Sequence, residues 1–219
     1  MTAAPSYTIF LLSPANLAGR RAAMVFNPRA TFEAARNLRS PAGATLGEVF
    51  SFVSGLYFRG KATYAAAFGR APPQGSAALV ITPSEGLRPI DDMVTLDQLR
   101  DWSSVPIDAR NDAFTEPLIA HAEQLERAYG ATARIVLLGS VASDKYVRPL
   151  TRVFGDHLLF PTAFVGRGDM SRGALLLRAA RAEQELDYQC VEGAARRGRR
   201  AAGVDQNGNG RPAALVKPR

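Results

Sequence analysis

One cysteine, Cys190, and two histidines, His121 and His157, stand among 219 residues. A single thiol closes no intrachain disulfide, and with only two histidines a dedicated zinc site is not expected. Long apolar runs are missing too. Stretches such as 9–12 and 174–177 amount to about one helical turn, against roughly 20 residues needed to cross a bilayer. No basic leader precedes the short apolar stretch near the N-terminus, so a cytoplasmic location and no membrane partnership are expected. No Gly-x-Ser-x-Gly elbow, Walker sequence or dinucleotide-binding glycine pattern occurs. Ordinary ATP or NAD chemistry is therefore disfavoured, and no cofactor or metal is expected.

What remains is an ordinary globular composition, 47% hydrophobic and 21% charged, long enough to bury a core without staples. The net charge of +7 is unevenly spread. Residues 1–90 carry 9 basic and 3 acidic side chains, residues 91–130 carry 3 and 9, and residues 131–219 carry 15 and 8. Basic flanks that meet in the fold would make one positive face attractive to phosphates, whereas arginine-rich composition alone would scatter the charge.

Apolar patterning predicts strands over 7–13, 48–53, 77–82, 135–138 and 157–160, each short and closed by Pro, Gly or Ser. Helices are expected over 31–39 with Thr31 as cap, over 95–99 with Thr95 as cap, over 115–129, and after 169, where Asp169 or Ser171 could cap. His121 falls on the apolar stripe of the third of these and reads as a helix-face residue rather than a ligand. Alternating strands and helices predict a single α/β domain over 1–188, with a central mostly parallel or mixed sheet flanked by helices. Residues 189–219 read as a basic, flexible tail outside the core.

In such a sheet, ligands sit beyond the carboxyl ends of the strands. Polar residues follow the expected strands at 13–16, 57–61, 84–88 and 143–146, and a further group lies at 167–172. The candidate binding residues are Ser13, Asn16, Tyr57, Lys61, Arg88, Lys145, Tyr146, Arg167, Ser171 and Arg172, a set suited to an anionic partner. Helix N-termini after Ser143 and Asp169 would add backbone donors for phosphate. Glu85 and Asp144 are the candidate catalytic carboxylates, each either a general base or one half of a structural ion pair. Tyr57 and Tyr146 either stack on a base or pack as rim aromatics. Ser13 and Ser54 read as turn residues.

Ser13-Pro-Ala-Asn16 after the first strand, Ala142-Ser-Asp-Lys-Tyr146 after the fourth, and Arg167-Gly-Asp-Met-Ser-Arg172 before the last helix resemble, in that order, the sequence marks of the YaaA peroxide-stress family. Gly55-Leu-Tyr57 and Gly86-Leu-Arg-Pro-Ile-Asp91 resemble two intervening segments, so the likeness touches most of residues 7–185. It implies one α/β domain with a positively charged cleft, DNA binding, and a role in limiting oxidative DNA damage. No firm reaction comes with it. Asn16 stands where the family commonly has lysine, and residues 17–45 are shorter than its helix-hairpin-helix-like element. Two functions follow as expectations. One is binding of nucleic acid or nucleotide phosphates in a cationic cleft; the other is an enzyme acting on a nucleobase, nucleotide or similar anionic small molecule.

Overall fold

The first strand, β1 (Tyr7–Leu12), is buried at every position after the first, and Pro14 follows it two residues on. Such a run, apolar on both faces, belongs in the middle of a sheet covered on both sides. In the computed structural model, which describes residues 6–130 and 132–198, β1 lies between two parallel neighbours.

After β1 the chain forms two short helices, α1 (Arg20–Phe26) and α2 (Glu33–Arg39), then the two-residue β2 (Ala44–Thr45), α3 (Leu46–Ser54) and α4 (Leu56–Phe68). It returns through β3 (Ala78–Ile81), β4 (Leu87–Pro89) and β5 (Met93–Val94) to α5 (Leu96–Ser103) and the long α6 (Asp112–Tyr129). The second half is β6 (Ala133–Leu138), α7 (Asp144–Phe154), β7 (Leu158–Pro161), α8 (Asp169–Arg181) and β8 (Tyr188–Cys190).

Six strands make one sheet in the order β4-β3-β1-β6-β7-β8, while β2 and β5 pair as a separate ribbon. The inner four are parallel; the edge strands β4 and β8 run antiparallel to their neighbours. The expected α/β domain with a mostly parallel, mixed sheet flanked by helices is the observed one. Ile9, Phe10, Leu11 and Leu12 of β1 and Ile135 to Leu138 of β6 are fully buried. Each such side chain contributes roughly 1.5–3 kcal/mol of hydrophobic burial.

From β1 the chain builds outward to β3 and β4, then crosses over to β6 and builds the other way. The carboxyl ends of β1 and β6 therefore flank a topological switch point, where an open α/β sheet leaves a crevice.

Three expectations need correction. Residues 48–53 are not a strand but the body of α3. Thr45 and Glu48 close a capping box at its start, and Leu46, Val49, Phe50 and Val53 recur at helical spacing as its buried face. The strand-like run of apolar residues is two turns of that face read too narrowly. Thr31 caps nothing, since α2 begins at Glu33 with Phe32 before it and no side-chain cap; Thr95 does cap α5, through a capping box with Gln98. The folded part also extends past residue 188. β8 pairs with β7 through Gln189 and Cys190, and Val191 is buried in the core. Residues 199–219 of the expected tail lie outside the described residues.

Among the described residues no helix is long and apolar enough to cross a membrane, and no group of three or more acidic, histidine or cysteine side chains could hold a metal. His121 Nδ1 lies 3.1 Å from the backbone of Leu87, as a helix-face residue would.

Candidate functional site

Immediately after β1, Ser13 turns into the switch-point crevice while its backbone still donates to Leu138 of β6. The crevice opens into a cleft of about 580 Å³. Ser13 and Asn16 line it from the β1 end, Lys145 and Tyr146 from the first turn of α7, Tyr57 from α4 and Asp169 from α8. The opposite side is made by Trp102 and residues 103–107 at the end of α5.

The floor depends on a helix crossing. α4 and α8 touch at Gly60 and Gly173: a Cβ on Gly60 would lie 2.6 Å from the Gly173 carbonyl oxygen, and one on Gly173 would lie 2.8 Å from the Tyr57 Cα. Only glycines allow so close an approach. Lys61 follows Gly60 and Arg172 precedes Gly173, so the crossing brings both cations beneath the cleft. They are the two buried charged residues among those described.

Lys61 has no solvent exposure. Its Nζ donates to the Ser13 carbonyl and, at 2.9 Å, to Ser13 Oγ, and it lies 4.5 Å from the Tyr57 ring centre and 4.8 Å from that of Phe58. Burial drives its pKa from the ordinary 10.5 down to about 7; Asp169 opposes the shift, while Arg172 and Lys145 add to it. Arg172 donates from Nε to the Phe164 carbonyl at 3.3 Å and sits 3.6 Å from the exposed Asp169 carboxylate.

Tyr57 and Tyr146 are buried in the cleft wall, and burial raises both hydroxyl pKa values well above the ordinary tyrosine range, keeping the phenols neutral. The Tyr57 hydroxyl is enclosed, has the Arg172 guanidinium as its polar neighbour, and makes no hydrogen bond of good geometry. An unmade buried hydrogen bond costs about 1–3 kcal/mol. Lys145 Nζ stands 4.9 Å over the Tyr146 ring, and the ring in turn meets Phe114 edge-on.

Of the candidate residues, Ser13, Asn16, Tyr57, Lys145 and Tyr146 thus line one cleft, with Lys61 and Arg172 directly behind its wall. Tyr57 and Lys61 reach it as one turn of a helix at i and i+4, not from a strand end. Arg167 and Ser171 bond each other at 3.1 Å, away from the lining.

Glu85 and Arg88 belong to a different cluster. Arg88 bridges Glu85 and Asp92 at 2.9 Å each, and the other Glu85 oxygen accepts from the Trp102 indole at 3.0 Å. Both acceptor oxygens of Glu85 are taken, which makes it a support for Trp102 rather than a base facing the cleft. Asp144, mostly exposed, pairs with Arg196 at 2.9 Å and does not line the cleft. Of the two roles expected for these carboxylates, the structure shows the ion-pair one for each.

Sequence reasoning missed Trp102 and Asp169 as cleft residues. Trp102 is the single tryptophan, a signal in itself. The N-cap of α8 is Gly168, with no side-chain cap, so neither Asp169 nor Ser171 has the expected capping role, and Asp169 at the first position of the helix lines the cleft instead. Comparison with protein-family models, with curated proteins and with solved structures finds no match for this chain.

Proposed function

We propose that the switch-point cleft binds a nucleotide or another anionic ligand bearing a nucleobase-like ring. The observation that carries this reading is the pairing, in one cleft, of aromatic walls with fixed positive charge. Tyr57, Tyr146 and Trp102 belong to its lining while almost wholly buried themselves, and Lys145 stands in the first turn of α7, where backbone N–H groups have no intrahelical acceptor. Arg172 adds a second charge from below. A volume of about 580 Å³ suits a ligand of nucleotide size. The YaaA-like marks at 13–16, 142–146 and 167–172 support the same reading and extend it to protection against oxidative damage.

Binding of nucleic acid is a second reading, favoured by a specific feature beside the cleft. Arg148 and Arg152 are exposed one turn apart on α7 and border a shallow groove of about 660 Å³, which Arg196, paired with Asp144, and Glu192 also line. Arg197 continues the line near Ala142. A backbone of phosphates could follow these arginines while one base enters the cleft.

Equilibrium binding of a nucleotide panel and of single- and double-stranded DNA, each over a salt series, tests both. The nucleotide reading expects saturable one-to-one binding of a nucleotide, weakened at least tenfold by Lys145→Ala. The nucleic-acid reading expects affinity that falls steeply with salt and falls further when Arg148 and Arg152 are replaced. Absence of binding in every arm contradicts both.

A further inference from the structure

Ser13 and Lys61 stand in an order that suits chemistry as well as binding: cleft, hydroxyl, amine. We infer that they form a nucleophile and base pair, in which Ser13 Oγ attacks an ester carbonyl of a ligand held in the cleft and Lys61 carries the proton. The inference rests on the reading of the cleft as a ligand site and adds a reaction to it.

A buried lysine ordinarily finds a carboxylate. Lys61 instead bonds the Ser13 hydroxyl and carbonyl. The groups that face it are Ser13 after β1, Tyr57 and Phe58 on its own helix, Asp169 and Arg172 on α8, and Lys145 on α7. Two of these are cations and one a carboxylate that makes no hydrogen bond to Nζ. Complete burial, aided by the two cations and opposed by Asp169, brings the ammonium near neutrality at about pH 7, where a base works best. In the charged form Nζ donates to Ser13 Oγ, whose own proton goes to the Leu138 carbonyl at 3.4 Å; in the neutral form that proton turns to the lysine lone pair across 2.9 Å. Serine with lysine as base is an established alternative to the serine and histidine arrangement. Donors for the resulting oxyanion lie in the cleft lining, at the first-turn amides of α7 beside Lys145 and Tyr146.

The step balances without a metal or redox partner. The Ser13 Oγ–C bond forms as the hydroxyl proton passes to Lys61 and the carbonyl π pair moves onto oxygen. Collapse of the tetrahedral adduct breaks the bond to the alcohol oxygen, which takes the proton back from Lys61. Water then repeats the sequence on the acyl-serine, with Lys61 again as base, releasing a carboxylic acid and restoring Ser13.

A purely structural Lys61 would clasp the Ser13 loop through the carbonyl bond and confer no reactivity. Labelling of the full chain with a fluorophosphonate, and separately with p-nitrophenyl acetate, distinguishes the two when followed by intact mass and peptide mapping. The expected result is one adduct, on Ser13, absent from Ser13→Ala. Its rate should rise about tenfold per pH unit below about 7 and level above. Lys61→Met should slow labelling at least 100-fold while melting cooperatively. If that variant does not fold, the wild-type pH profile and Ser13→Ala decide. No Ser13 adduct from either reagent, or a rate that ignores pH and Lys61, overturns the inference. Nucleotide binding without a Ser13 adduct defeats this inference alone; a Ser13 adduct without nucleotide binding defeats only the proposed ligand.

Discussion

Two clusters of charge lie at the carboxyl end of the sheet, and they are built on opposite principles. Around Arg88 every charge is answered: Glu85 on one side, Asp92 on the other, with the Met93 carbonyl at 3.2 Å and the Trp102 indole completing Glu85. Around Lys61 charge is buried and left unbalanced, with Arg172 close by, Lys145 above and a single exposed carboxylate, Asp169. A satisfied network fixes geometry. An unbalanced one, held in place by a helix crossing, stores electrostatic work for a ligand or a proton transfer. The Arg88 cluster holds Trp102; the Lys61 cluster is where the proposed proton transfer is placed.

The contrast can be broken most severely at the crossing. Gly173→Val would drive a branched side chain into the Leu56 carbonyl and the Tyr57 Cα, which a Cβ alone would meet at 2.7 and 2.8 Å. A loss of about 3 kcal/mol by urea denaturation is expected, together with loss of ligand binding, because α4 and α8 can no longer hold Lys61 and Arg172 beneath the cleft.

Lys61 offers a pH test. Its folded pKa is about 7 against an ordinary 10.5, so below about 7 both folded and unfolded states are protonated and the burial penalty is constant. Between about 7 and 10.5 only the unfolded state holds the proton, and the penalty is relieved as pH rises. The stability of the wild type relative to Lys61→Met should therefore be flat below about pH 7 and climb above it, by up to about 1.4 kcal/mol per pH unit.

Arg88→Ala sharpens the comparison from the satisfied side. It leaves Glu85 and Asp92 unanswered at partly exposed positions, so about 1 kcal/mol of stability should be lost by thermal denaturation. Ligand affinity should change less than threefold. Smallest of all, Asp144→Asn weakens the Arg196 pair at the surface and should stay within about 0.5 kcal/mol of wild type, with ligand affinity unchanged.

Much of this was legible in the sequence. Four of the six strands of the main sheet follow from apolar runs closed by Pro or Gly, and the polar residues just beyond β1 and before α7 mark the rim where the cleft lies. Other parts were not legible for identifiable reasons. The helix α3 hides in a six-residue window that alternates poorly, and becomes visible only when Thr45 and Leu46 are read with it. β4 and β8 are three residues long and owe their conformation to the strand beside them, not to propensity. The roles of Glu85 and Asp144 depended on partners distant in sequence, Trp102 and Arg196. The junction of Ser13 with Lys61, 48 residues apart, comes from the packing of α4 on the end of β1 and against α8 at two glycines.

The most direct measurement uses the single tryptophan, which lines the cleft. Nucleoside mono-, di- and triphosphates and short oligonucleotides would be titrated into the full chain while Trp102 fluorescence is followed, in the wild type and in Lys145→Ala. The account predicts a saturable change with at least one of these ligands and at least tenfold weaker binding in the variant. A fluorescence signal that no ligand alters up to millimolar concentration, or one that Lys145→Ala leaves untouched, contradicts it.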